Sequence, residues 1–441
     1  MMREDWVAVE YKTLVDKVST VSQKLKQKEY LPEGKLAVVD QGQELIGGYT
    51  DDESKQLDCA LPVIVFGDHT KIVKLINFPF APGADGTKVL QPKKPILPKY
   101  ISYLTKILVF KIEDKGYARH YQHIEKQYFP LAPLPEQRAI VAKIEQLFSE
   151  LDNGITNLKA AKAKLVIYRQ AVLNFVMVYD KSVLISDVVE ELTQGWSPKC
   201  INQPSSDPEE WAVIKTSAIQ SGDFLEFKNK ILPKNLTARE QHEIQKNDIL
   251  ITRAGPRIRV GVCCLVKKTR PRLINCDKVY RIRIKQKVIS PEFFEYVMNS
   301  PEFIHKIEEI KTGGNDSGLN LTQSRYLKLK IPSPSIQKQK QIVQEIETRL
   351  SVCDNILRNI EEGLEKAEAL RQSILKKAFE GKLLNETELA ACRQQPDWEP
   401  AEKLLARIQR HRRDAMHGVS TTTTTMATTT ATTTTTTTTT K

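Results

Sequence analysis

The chain has 441 residues, 66 of them Lys or Arg and 54 Asp or Glu, for a net charge of +12. That length exceeds one ordinary domain and argues for two or three, while the basic balance favours a polyanionic partner such as nucleic acid without designating a site. The seven cysteines form no C-x-x-C pair, the opening MMREDWVAVEYKTLVDK has no apolar stretch, and no run of about 18 apolar residues occurs. A disulfide framework, a secretion leader and a membrane span are therefore not expected; a reduced, cytoplasmic protein with no membrane partner is.

In chain order, residues 1–130 read as a mixed α/β domain. Lys35–Asp40 (KLAVVD), Leu61–Phe66 (LPVIVF) and Lys71–Ile76 (KIVKLI) are short strand-type runs bounded by Gly, Pro and Asp. Pro98–Phe110 is expected to be a helix, since Pro suits a first turn. Phe129–Pro135 (FPLAPLP) is an extended connector, because each Pro biases its predecessor away from helix. It leads into a long helical segment, 131–178, whose residues Ile140, Ile144, Leu147, Leu151, Ile155 and Leu158 recur in steps of three and four. A second mixed domain, 179–335, opens with Asp187–Leu192 and a turn at Gly195. It continues through Trp211–Lys215, Asp248–Thr252, Gly261–Val266 and Val279–Ile284. The last (VYRIRI) alternates apolar and basic residues, as a strand with one face in the core and one in solvent would. Pro291–Ile310 reads as a helical pair broken at Ser300-Pro301. Lys330–Ser335 is a second extended connector, and 336–381 a second long helical segment that Gly381 is suited to stop. The extension 382–419 offers one short amphipathic helix over Trp398–Arg413. The threonine-rich tail, 420–441, is expected to be disordered because it cannot bury enough apolar surface to offset its ordering entropy.

The two long helices are copies. Shifting Ile140 onto Ile342, a step of 202 positions, also pairs Ile144-Glu145 with Ile346-Glu347, Asp152-Asn153 with Asp354-Asn355, and Arg169-Gln170 with Arg371-Gln372. Pro130 falls on Pro332 in the same frame, so connector and helix were duplicated together. Each carries a narrow apolar seam that needs a partner, and the other copy is the obvious one. About 40 residues of helix make a rod on the order of 60 Å long.

A search for catalytic motifs comes back empty. Gly83–Lys88 (GADGTK) has the wrong spacing for a phosphate loop, and no H-E-x-x-H or paired C-x-x-C supports a zinc site. His120 and His123 read as a wet surface pair. Gly67-Asp68-His69-Thr70 follows a strand-type run, where reactive side chains are often placed, but no second acid or ligand cluster accompanies it. A polar loop touching a ligand or DNA edge, with Asp68, His69, Thr70, Lys71 and Lys74, and a plain structural turn both remain open. Thr252, Arg253, Arg257 and Arg259 surround a Gly-Pro turn after another strand-type run. Three arginines there suit phosphate oxygens or the O6/N7 edge of guanine, or form a solvated basic hairpin. Lys311–Asn320 (KTGGNDSGLN), with Asn315 and Asn320, is a polar loop that either lies against a groove or only connects.

Together these stretches resemble the specificity (S) subunit of type I restriction–modification enzymes. The resemblance rests on FPLAPLPEQRAIVAKIEQLFSELD, on its second copy IPSPSIQKQKQIVQEIETRL, and on RQSILKKAFEGKL at the far end. GKLAVVDQGQELIGGYTDD and VIVFGDHT support it in the first domain, LTQG, NDILITRAG and TGGNDSGLNLT in the second, and EPAEKLLARI near the end. It covers roughly residues 1–413. One departure is Gln337-Lys338-Gln339 where the first connector has Pro135-Glu136-Gln137, a change expected to alter a subunit contact rather than the fold.

The resemblance implies an α+β fold with two mixed α/β target-recognition domains, separated by two long helices in an antiparallel coiled coil with a pseudo-two-fold repeat. It implies a non-catalytic reader of double-stranded DNA with no cofactor of its own, recognising a bipartite target. Two modification (methyltransferase) subunits and restriction subunits would be its partners. A coiled-coil adaptor that binds proteins is the alternative, and a nuclease acting through Asp68 and His69 a weaker third.

Overall fold

The computed structural model describes residues 3–83, 85–110, 112, 119–179 and 181–410. The threonine tail and the end of the expected Trp398–Arg413 helix lie outside the described residues. In chain order the helices are α1 (Pro98–Phe110), α2 (Tyr121–Ile124), α3 (Leu134–Asn174), α4 (Ile185–Val188), α5 (Pro291–Met298), α6 (Pro301–Ile310), α7 (Gln323–Leu327), α8 (Ile336–Phe379) and α9 (Glu386–Arg393). Residues 401–410 are helical as well. The Ser300-Pro301 break falls where the sequence places it, because Ser300 accepts a hydrogen bond from the Phe303 amide and Pro301 opens the new helix. Gly381 ends α8 with φ +71°, a left-handed conformation that a residue with a Cβ adopts at a cost.

The contacts divide the chain into two units, Met1–Thr156 with Leu364–Lys441 and Asn157–Gly363. Each therefore holds one end of α3 and the opposite end of α8, a partition that cuts across the linear segments read from the sequence.

In the first unit a four-stranded antiparallel sheet runs Val15–Val18, Thr87–Pro92, Val63–Gly67, Val73–Ile76. A three-stranded sheet has Leu36–Val39 in its middle, antiparallel to Gly48–Thr50 and parallel to Phe80–Pro82. Ile64 and Phe66 of the larger sheet, Leu104 and Leu108 of α1, Ile140 and Ile144 of α3, and Ile374 and Ala378 of α8 share one core. The second unit repeats this topology. Its larger sheet runs Val189–Gln194, Val279–Ile284, Ile249–Thr252, Cys263–Leu265, again first, last, second and third in chain order. Its smaller sheet has Ala212–Ile214 antiparallel to Asn229–Ile231 and parallel to Leu273–Ile274. The duplication legible in the helices thus extends to the globular parts.

The helices pair antiparallel within each unit. In the second, Lys162 bonds Glu361 at 2.8 Å and Arg169 bonds Asp354, so seven residues forward on α3 is seven back on α8. In the first, Arg371 bonds Asp152 and its guanidinium lies 4.7 Å from the Phe148 ring centre. These are the residues that the repeat equates: each copy's arginine takes the other copy's aspartate, the reciprocity of an isologous interface. Cys353 of α8 is buried.

Both connectors are strands: Tyr128–Leu131 pairs with Val7–Glu10, and Lys330–Pro332 with Ser182–Leu184. Beside each lies the same buried glutamine. Gln137 donates to the Ala132 carbonyl (2.9 Å) and accepts from the Leu97 amide (3.2 Å), just before α1. Gln339 donates to the Pro334 and Val288 carbonyls (2.8 and 3.0 Å) and accepts from the Ser290 amide (2.8 Å), just before α5. One side chain so locks each long helix to its own domain. The departure at the preceding position also has a structural meaning. Glu136 is buried and accepts from the Trp6 indole (2.7 Å), in a region where Arg138 bonds Asp397 and Lys143 bonds Glu388 of the C-terminal extension. Its counterpart Lys338 is exposed.

Two expectations are corrected. Val279–Ile284 is an inner strand with both faces covered: Tyr280 and Ile282 lie in the core under α5, while Val279 faces the core shared with the smaller sheet. Arg281 is accordingly buried, donating to the Glu243 carbonyl (2.7 Å) and paired with Glu191 (3.2 Å) and Asp248 (3.9 Å). His120 is buried rather than wet, its amide donating to the Asp68 carbonyl (3.0 Å). Both errors have one cause, a second layer of structure that local alternation cannot reveal.

Candidate nucleic-acid interface

Repetition of the sheet places the two loops singled out from the sequence at one topological position, after the second strand of each larger sheet. In the first unit, residues 68–71 turn between Val63–Gly67 and Val73–Ile76, with Lys71 at φ +62°. Asp68 is buried. Its carboxylate accepts from the Tyr121 amide (2.8 Å), which starts α2, and pairs with Lys88 (3.6 Å). Lys74 is buried too and donates to the Asp40 carbonyl (2.9 Å); loss of hydration pushes its pKa down against the pull of Asp40. Both side chains are thus buried and engaged within the domain. The hydroxyl of Thr70 donates to the Gln41 carbonyl (2.6 Å), and the Gln41 amide donates to Asp85 O (2.9 Å), drawing three loops together. Thr70 is exposed there, with His69 and Lys71 half-buried.

In the second unit Thr252 is fully buried at the strand end. Arg253 donates to the Asp277 carbonyl (3.0 Å) and lies over the Tyr280 ring. Arg259 donates to the Thr216 carbonyl (2.6 Å) and the Ile219 carbonyl (2.5 Å). Arg257 bonds Asp316 (3.0 Å through Nε) and Glu308, which together raise its pKa and neutralise it. The loop 311–321 is a hairpin closed by paired Thr312 and Asn320 and stitched to Ala254–Gly255. Asn320 serves that ladder, whereas Asn315 is exposed at the hairpin's end. The three arginines are thus anchors more than free cations.

The free cations are ones the sequence reading did not single out. A cleft of about 500 Å³ is lined by Ser197, Pro198, Cys200, Val213, Lys215, Thr216, Lys230, Asp277 and Lys278, among others. None of the ammonium groups of Lys215, Lys230 and Lys278 has an ion-pair or hydrogen-bond partner among the described residues. Close in the chain to the lining residues Ser197 and Cys276, two backbones approach closely: a Cβ on Gly195 would meet Asn275 O at 2.0 Å, so only glycine fits. Arg253 and Arg259 tie the arginine loop to Asp277 and Thr216 of the lining. Loop and cleft therefore form one surface. Lysines scattered at 215, 230 and 278 carry no local motif that would have flagged them. Among the described residues no group of three or more His, Cys, Asp or Glu is placed to hold a metal ion, and no helix is long and apolar enough to cross a membrane.

Residues 182–366, which contain this surface, match the family described as the type I restriction modification DNA specificity domain. Over 172 residues the chain is 36% identical to the type I restriction enzyme EcoEI specificity subunit of Escherichia coli. Residues 182–366 thus carry the likeness to that DNA specificity domain. That EcoEI alignment covers 39% of this chain and spans 29% of the relative's length. The EcoKI specificity subunit of E. coli strain K12 is 26% identical over 321 residues, 67% of this chain and 68% of that relative. A solved structure from work on complex assembly and conformational transition of the type I R-M system superposes with a TM-score of 0.64 at 16% identity, covering 87% of this chain and all of that one. The HsdS subunit from Thermoanaerobacter tengcongensis gives 0.54 at 15% identity, covering 87% of this chain and 98% of that one. At such identities the structural likeness speaks for the specificity-subunit fold alone.

Proposed function

We propose that the chain is the DNA-sequence-specificity subunit of a type I restriction–modification complex: it reads a bipartite double-stranded DNA target and positions methyltransferase and restriction subunits without catalytic power of its own. The observation that carries this reading is the cleft of unpaired lysines joined to a braced loop, within the stretch that matches the DNA specificity domain. Lys215, Lys230 and Lys278 neutralise backbone phosphates, which supplies affinity independent of sequence. The exposed side chains of the adjoining loops face the bases, where sequence is read. In this scheme residues 1–130 and 179–335 are the two target-recognition domains. His69, Thr70 and Lys71 present the reading edge of the first, and Asn315 part of that of the second. Asp68, Lys74, Thr252, Arg253, Arg257, Arg259 and Asn320 hold those edges in shape. The protein acts in the cytoplasm, where its DNA and its two modification subunits are.

The test is to express the chain with a type I modification subunit and map methylated adenines across a genome. A two-part motif with an unspecified interior is the expected result. Absence of any motif from an active complex, or a one-part motif, would refute it; tight binding to some other protein without DNA protection would favour the adaptor instead.

A further inference from the structure

The loop between Thr252 and Gly261 is braced as few surface loops are. Arg257 is bonded to Asp316 and Glu308, Arg259 to two backbone carbonyls, and Arg253 to a third. Between the first two sits Ile258, 85% exposed. The guanidinium groups that would ordinarily read guanine or grip phosphate are thus already bonded within the protein, and the side chain the loop leaves unbonded in solvent is aliphatic. A β-branched residue has few χ1 rotamers to lose on contact, so its presentation is rigid as well as exposed. The loop adjoins the lysine cleft through Thr216 and Asp277, so DNA whose phosphates lie on those lysines runs past it. In the major groove the one apolar feature any base pair offers is the C5-methyl group of thymine.

We propose that Ile258 is a specificity-determining residue of the second domain, packing on a thymine methyl group in that domain's half of the DNA target. This rests on the DNA-reading function above and adds to it a residue and a chemical group. The contact selects an A·T pair in one orientation, because the opposite orientation carries the methyl on the other strand.

The experiment uses the chain assembled with its modification subunits and duplexes bearing the target found by methylation mapping. Each thymine of that half is replaced in turn by uracil, which differs only in lacking the methyl group. The wild-type complex is expected to lose about fourfold in affinity at one position, the factor that burial of one methyl-sized group of roughly 0.8 kcal/mol corresponds to. Ile258→Ala should bind the thymine duplex more weakly by a similar factor and no longer distinguish thymine from uracil at that position, while keeping its discrimination in the other half. A variant with wild-type affinity and an unchanged thymine–uracil profile overturns the proposal. A wild-type complex that does not tell its mapped target from unrelated DNA defeats the underlying reading instead, a separate and recognisable failure.

Discussion

Replacing Lys215, Lys230 and Lys278 together by alanine should strip most of the salt dependence from DNA binding by the second domain. All three ammonium groups lack ion-pair partners among the described residues, so each is available to displace a condensed counterion from a phosphate. Each such contact adds about 0.9 to the slope of log affinity against log salt, so three account for about 2.7. Between about 50 and 200 mM salt, a fourfold change, wild-type affinity should fall about 40-fold more than that of the variant. Fluorescence anisotropy on target and scrambled duplexes, with modification subunits present, reads both slopes. The loss should be the same on either DNA, since phosphate contacts carry no sequence information. Arg257→Ala supplies the contrast: its charge is already matched by Asp316 and Glu308, so it should leave the slope unchanged. An unaltered slope in the triple variant, or a loss confined to the target duplex, would refute the assignment of these lysines to the backbone.

Glu295 on α5 accepts from the amide of Leu265 on the edge strand (2.6 Å), and burial pushes its pKa up to about 7 from 4.5. Between those values the folded chain holds a proton that the unfolded chain has lost, so stability falls as pH rises through the window, by about 3 kcal/mol at most, and is level above it. Glu295→Gln should flatten that dependence in urea denaturation across the window. Asp248→Ala should cost about 3–5 kcal/mol, because it leaves the buried Arg281 without one of its counter-charges and releases Arg283; a loss under about 1 kcal/mol would mean that Glu191 alone suffices. Gln339→Ala should destabilise by about 1–3 kcal/mol through the loss of three part-buried hydrogen bonds to backbone groups. Thermal unfolding of this variant beside Gln137→Ala tests whether the two glutamines act alike, and a loss in only one of them would break the equivalence.

The positions of the strand-type runs, the long helices and the break at Ser300-Pro301 follow from patterns within a few residues of one another, where apolar period and proline geometry decide. The duplication was legible for the same reason, since Asp152 and Arg169 recur as Asp354 and Arg371 in fixed register. That each arginine would meet the other copy's aspartate follows from antiparallel pairing, which the resemblance implied and which a seam by itself does not orient. That the globular parts repeat was expected from the duplication and the resemblance, but their strand order was not legible. The two domains share strand order, and strand order is set by pairings between residues far apart in the chain, which local spacing does not record.

Charge is where sequence and tertiary structure part company. The sequence by itself determined that the chain is basic, duplicated and built on paired long helices, because those are properties of composition and short-range period. Only the tertiary structure decided which cations are available. Arg253, Arg257 and Arg259 cluster in the chain but are drawn onto carbonyls and carboxylates, while Lys215, Lys230 and Lys278, far apart in sequence, meet unpaired at one cleft. The physical reason is that a charge is disposed of by whatever lies within a few ångströms of it in space, and neighbours along the chain are only a small part of that company.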